Sequence, residues 1–97
     1  MCRKWLKKMT LRKHREATND FSNENIIDSG IRGNIYKAKL SNGSFVAVKR
    51  LCDTRQSRTE FLIELTTLGK VKHPNLISLM TFCVARKEKL LGYECMC

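Results

Sequence analysis

An α+β fold, built as a five-stranded antiparallel sheet with one packed helix, is predicted by three features of the 97-residue chain. Short runs such as "NIYKAKL" and "FVAVKRL" are apolar and β-branched, with the period of a strand. Asn42-Gly43, lying between those two runs, is the strongest short hairpin signal. Ser57-Arg-Thr-Glu60 has the form of a capping box and opens a run with helical spacing, which His73-Pro74 stops from continuing.

Taken in order, the first strand is expected from about Glu24 to Gly30 and, after a glycine turn, the second from Gly33 to Leu40. "SNGS" turns the chain into a third strand, Phe45 to Leu51. The polar loop "CDTRQ" leads to a helix that starts at the Ser57 cap and ends near Gly69 or Val71. "NLISLMTFCV" gives a fourth strand, "ARKEK" a turn and "LLGYE" a fifth strand.

A hydrophobic content of 42% and this length suit one small domain. No apolar run approaches a membrane span, and no signal-peptide pattern is present. Five cysteines, odd in number and without framework spacing, suit a reducing compartment. Cys95-Met-Cys97 is too short for a zinc half-site, so no metal ligands are assigned.

The net charge of +10 is uneven. Residues 1–15 hold seven bases and no acid, while the rest of the chain holds twelve bases against nine acids. Residues 1–20 therefore read as a basic leader and 21–97 as the folded domain. Cys2, Trp5, Leu6 and Met9 fall on one face of a helix with bases on the other. Two readings stand for this leader: a helix on an anionic membrane surface, or a solvated tail. Nucleic-acid binding is not assigned, because interleaved aromatics and a reading helix are absent from the pattern.

Phe61, Leu65 and Leu68 form the apolar stripe of the expected helix, and Glu64 lies on that stripe. Burying a carboxylate there costs on the order of several kcal/mol unless a cation meets it. By strand alternation Lys49 points with Ala47, away from Val46 and Val48. A Lys49–Glu64 ion pair across sheet and helix is the expectation, and snorkelling of Glu64 to the helix edge is the alternative. Just before both lies "IIDSGIRGNIYKAKL", whose glycine turn is either a plain hairpin or a lid over phosphates.

At these residues the sequence resembles the small, N-terminal lobe of a protein kinase. Asp28-Ser-Gly30-Ile-Arg-Gly33-Asn-Ile35 stands where that family has its G-x-G-x-x-G-x-V loop, and Val46-Ala-Val-Lys49 where it has V-A-I-K. "ATNDFS", "HPNL" and "KLL.YE.M" narrow the resemblance to plant receptor-like kinases, and "ENII.SG" and "FCVARKEKLL" resemble most nearly their inactive leucine-rich-repeat, pseudokinase members.

The resemblance implies ATP as cofactor, with Gly30 and Gly33 at the phosphates, Lys49 on the α- and β-phosphates and Glu64 holding Lys49. Ile27, Ile35 and Ala47 would pack on the adenine, with Tyr93 behind it and the backbones of Glu94 and Met96 along its edge. Leu68 and Leu79 would belong to a hydrophobic column behind the site. It also implies placement at the cytoplasmic face of the plasma membrane and, as an alternative role, docking on a partner receptor kinase.

Three departures qualify the resemblance. Asp28 replaces the loop's first glycine and adds negative charge beside a polyanion. Gly92 replaces a bulky strand residue and is expected to weaken its strand. Lys13 and His14 replace what are usually an acid and a leucine, so their segment is expected to dock poorly. The H-R-D and D-F-G motifs of the kinase large lobe are not among residues 1–97. These residues alone are therefore expected to carry no catalytic residue and to transfer no phosphate.

Overall fold

A computed structural model of the chain describes residues 6–31, 33–67 and 76–95. Its elements, in chain order, are β1 (Lys7–Lys8), α1 (Leu11–Ala17), β2 (Ile26–Gly30), β3 (Gly33–Lys39), β4 (Phe45–Leu51), α2 (Arg55–Thr67), β5 (Leu76–Ala85) and β6 (Glu88–Cys95). A 3-10 turn at Asn23–Asn25 precedes β2.

Among the described residues the sheet has six strands, in the order β1-β5-β6-β4-β3-β2. β2 to β6 pair antiparallel as expected, and β4 has the predicted bounds. The correction is at the leader. Lys7 and Lys8 add a short parallel strand beside Thr81 and Phe82, making the sheet mixed rather than five-stranded and antiparallel. Among the described residues the leader's helix begins at Leu11, where the Thr10 hydroxyl caps it by accepting from the Lys13 amide at 3.1 Å. Residues 1–5 lie outside the described residues.

Strand alternation divides the core into two layers. Ile35, Ala47, Leu51, Leu91 and Tyr93 face α2, where they meet Phe61, with Leu65 packed alongside. Tyr36, Ala38, Val46, Val48 and Leu90 face the other way, toward α1 and Phe21. Among the described residues two helices cover the sheet, one on each face. Lys49 shares the face of Ala47, as its alternation predicts.

The "ATNDF" segment connects α1 to the sheet. Thr18 is fully buried; its hydroxyl donates to the His14 carbonyl at 2.8 Å and accepts from the Phe21 amide at 2.9 Å. Asn19, Asp20 and Phe21 then take positive φ values, a left-handed turn that Asn and Asp tolerate best. The turn sets Phe21 edge-on to Tyr36, with ring centroids 5.1 Å apart, and beneath the Arg50 guanidinium at 4.2 Å. Arg50 also makes a two-pronged pair with Glu88, at 3.0 and 2.6 Å, tying β4 to the start of β6.

The segment expected to dock poorly is thus firmly seated. His14 is fully buried, its Nδ1 donating to the Thr10 carbonyl at 2.9 Å and its Nε2 lying 3.5 Å from the Thr81 hydroxyl. Gly92 is what admits Thr81. A Cβ built on Gly92 would lie 2.0 Å from Thr81 Oγ1. The glycine expected to weaken its strand instead makes room for a cross-strand side chain.

The helix start also differs from the Ser57 capping box. The Thr54 hydroxyl accepts from the Ser57 amide at 3.0 Å, and the Thr54 carbonyl accepts from Arg58 at 2.9 Å. Threonine is a competent cap three residues earlier, and Arg58 pairs with the neighbouring Asp53 at 3.3 Å. Ser57 becomes a buried residue of the first turn. The predicted helix end at Gly69 or Val71 lies outside the described residues.

Candidate functional site: a cleft between the glycine hairpin and β4

β2 and β3 close through a tight turn in which Gly30 faces Gly33 in the strand register. Ile31 stands at the tip, 99% exposed. Beneath the hairpin is an open cleft of about 380 Å³, lined by Asp28, Gly30, Ile31, Gly33, Ile35, Lys49 and Glu60. This is within the roughly 300–1,000 Å³ of ordinary small-molecule sites.

The cleft has an apolar floor and a polar rim. Ile35 pairs with Lys49 in the ladder and is nearly buried, and Ala47, two residues along β4, is wholly buried in the same cluster. Ile27 packs partly buried against that cluster. The Lys49 ammonium donates to Glu60 at 2.7 Å, both side chains being about 20% exposed (20% and 19%).

The expected partner of Lys49 is therefore corrected: the carboxylate that meets it is Glu60, one helical turn before Glu64. Residues four apart share a helix face, so Glu60 stands on the same side of α2 as Glu64. Glu64 remains on the inner side, as its position on the stripe implied, and accepts from the Tyr93 hydroxyl at 2.9 Å. Burial, and then the neighbouring Glu64 carboxylate, push the Tyr93 phenol far above its ordinary range, so it is a neutral donor.

The two glycines have different reasons to be glycine. At Gly33, φ is +141° and a Cβ would lie 1.9 Å from the Arg50 carbonyl, so close packing on β4 demands glycine there. At Gly30 a Cβ would make only an ordinary contact, 3.5 Å from the Gly33 carbonyl. Asp28 is an exposed residue of β2 just past a register shift, on the cleft wall.

The structure thus brings Gly30, Gly33, Ile35 and Lys49 to one cleft, with Ala47 and Ile27 in the cluster beneath and the Glu64–Tyr93 pair behind. Leu79 is buried opposite Tyr93, in that cluster. Glu94 lies on β6 opposite Val46. Met96 and Leu68 lie outside the described residues. Glu60 and Ile31 were missed. The signal for Glu60 was present in its i−4 spacing from Glu64.

A sheet whose five longer strands run antiparallel, a glycine hairpin at one end and a strand lysine paired to the next helix define the small lobe of a protein kinase. The comparisons agree: the model of the protein tyrosine and serine/threonine kinase family matches residues 21–97, and the chain belongs to that family. Its relatives are plant receptor-like kinases. It is 46% identical over 96 residues to an Arabidopsis thaliana protein named "Probably inactive leucine-rich repeat receptor-like protein kinase", covering 99% of this chain and 16% of that one. It is 52% identical over 82 residues to the leucine-rich repeat receptor protein kinase EMS1 of the same plant, covering 84% of this chain and 7% of that one. Among solved structures, the pseudokinase domain of BIR2, an immune regulator of the RLK/Pelle family, superposes with a TM-score of 0.69 at 43% identity. That match covers 89% of this chain and 26% of the other. The chain thus spans less than a fifth of the length of these receptor relatives.

Proposed function

We propose that the cleft takes the phosphates of ATP, and that the chain is the nucleotide-binding lobe of a receptor-like serine/threonine kinase at the cytoplasmic face of the plasma membrane. The observation that carries this reading is Lys49: a cation in the cleft wall, above an apolar floor, fixed by a helix carboxylate at 2.7 Å. The cleft fits the nucleotide in volume, in an Ile35 floor over the Ala47 cluster, and in Lys49, the cation among its described lining residues. ATP would supply a transferable phosphoryl group. The chain's own part is to seat the base on the floor, to hold the phosphates at Lys49 and to cover them with the glycine hairpin.

Charge sets the strength of binding. Asp28 and Glu60 both line the cleft with Lys49, so its described walls carry one more negative charge than positive. For a polyanion at about 5 Å and an effective dielectric near 20, each repelling unit costs on the order of 3 kcal/mol, less where exposed. This supports weak binding. It also favours a second reading, a non-catalytic module that docks on a partner kinase, for which the likeness to a pseudokinase domain is support.

Calorimetric titration of the chain with Mg-ATP tests the choice. Saturable binding that Lys49→Met removes and Asp28→Gly tightens is the expected result. A chain that is folded yet binds no nucleotide in either form overturns the first reading in favour of the second. Residues 1–97 are expected to transfer no phosphate from Mg-ATP, and phosphotransfer above a Lys49→Met control overturns that expectation.

A further inference from the structure

A second and larger concavity, of about 710 Å³, lies on the α1 side of the sheet, opposite the nucleotide cleft. Its walls are β1 and α1 on one side and the β3–β4 turn on the other, with β5 as the base. Lys7, Lys8, Lys13 and Lys39 line it, all exposed. None of the four makes an ion pair among the described residues, whereas Lys49, Arg50, Arg58 and Lys89 elsewhere all do. The one acid on the wall, Glu16, is engaged by Arg12 at 3.4 Å. Partly buried Met9, Leu40 and Met80 give the groove apolar ground between its cations.

We propose that this groove is a binding site for an anionic peptide: an extended segment with an apolar side chain flanked by phosphorylated or acidic residues. Four lysines against one carboxylate, itself engaged by Arg12, leave the groove a net positive field that focuses an anionic ligand. The apolar base asks for a side chain, which inorganic phosphate does not supply. A bilayer surface is a poorer fit, because a planar headgroup layer does not reach the base of a groove walled by α1 on one side and a turn on the other.

The groove is also a fixed feature rather than a loose tail. α1 is held down by buried His14, which meets Thr81, and Thr81 occupies the space that Gly92 leaves. Thr81 itself lines the groove. His14, Thr81 and Gly92 therefore join to hold one wall against the base. None of them touches the nucleotide cleft, so the site does not depend on ATP being bound.

The test is fluorescence anisotropy on the full chain with a labelled peptide bearing leucine between two phosphoserines. The same peptide with serines, the same with glutamates, and vesicles of mixed phosphatidylcholine and phosphatidylserine serve as comparisons. The phosphopeptide is expected to bind, the glutamate form to bind more weakly and the serine form least. Binding should fall steeply with salt. Lys13→Glu with Lys39→Glu should weaken it by roughly tenfold or more, with the association rate most affected. Lys87→Glu, in the β5–β6 turn away from the groove, should leave it unchanged. Circular dichroism and urea unfolding confirm that each variant folds, and Lys13→Met with Lys39→Met gives a milder pair that should still weaken binding. Equal binding of the phosphoserine and serine peptides overturns the proposal. So does indifference to the paired reversal, or vesicle binding lost in that variant while no peptide binds.

Discussion

Replacing Gly92 by alanine should destabilise the lobe through a single cross-strand contact. In a typical strand this change is favourable, because alanine loses less backbone entropy on folding, by about 0.4–1 kcal/mol. Here the new Cβ would lie 2.0 Å from Thr81 Oγ1 and 3.4 Å from Thr81 Cβ. The first separation is far inside contact and the second is ordinary, so the conflict is with the hydroxyl alone. Thr81 has little room to yield: it is 5% exposed, opposite Gly92 in the ladder, and in contact with fully buried His14. Forcing a methyl into such a site costs typically about 1–3 kcal/mol. A net loss of about 2 kcal/mol would lower the melting temperature of a domain this size by roughly 8–16 °C. Thr81→Ala alone removes the partner of His14 Nε2, at a cost of about 1–3 kcal/mol for an unpaired buried group. In the double variant the hydroxyl is gone, so most of the Gly92→Ala penalty should vanish, with a coupling of about 1–2 kcal/mol. Urea unfolding of the four proteins measures the cycle. A Gly92→Ala penalty that is the same with and without the threonine hydroxyl would refute the argument.

Two further expectations concern pH and the glycine hairpin. Burial, partly offset by the bond to Thr10, holds His14 below its ordinary value of 6.5, so the unfolded chain binds that proton more readily; stability should be full above about pH 6.5 and fall as pH drops below it. The bond to Arg50 holds Glu88 below its ordinary 4.5, so a second loss should begin as pH falls below that value, and an Arg50→Met variant should lose the second step only. Denaturant titrations across pH check both; stability rising on acidification through pH 6 contradicts the His14 assignment. Gly33→Ala should cost more than about 2 kcal/mol, since its Cβ would overlap the Arg50 carbonyl at a positive φ, whereas Gly30→Ala should be nearly neutral in stability. Equal effects of the two in thermal unfolding would contradict the distinction.

How far the sequence carries depends on how local each signal is. The β3–β4 hairpin was legible from Asn42-Gly43, and the structure has Gly43 at a φ of +90° there. Strand alternation correctly set Ala47 and Lys49 against Val46 and Val48, because a period of two leaves no freedom once the strand exists. The leader was less legible. Its helical spacing is real, but Thr10 is a better cap than any residue before it, and two lysines found a free strand edge. Strand addition at an edge leaves no periodic mark. His14 and Gly92 read individually as defects, and only the register that sets Gly92 opposite Thr81 makes them parts of one contact.

The identity of the Lys49 partner shows the same limit at the site, and it can be tested directly. Glu60 and Glu64 lie one turn apart on one helix face, so spacing alone gives each a claim on the lysine. What separates them is the donor available to each. Tyr93, buried behind the cleft, donates to Glu64 at 2.9 Å, while the Lys49 ammonium reaches Glu60 at 2.7 Å. An amine bonded to a carboxylate and mostly shielded from solvent is hard for a reagent to reach and acylates slowly. Glu60→Gln should therefore speed the modification of Lys49 by an amine-reactive ester, followed by mass spectrometry of the Lys49 peptide, and should destabilise the fold by about 1–2 kcal/mol. Glu64→Gln should leave the Lys49 rate near that of the parent, since its principal loss is the bond from Tyr93. If Glu64→Gln exposes Lys49 and Glu60→Gln does not, the lysine pairs with the carboxylate that the sequence motif points to, and the Thr54-capped helix face described here is not the one that meets β4.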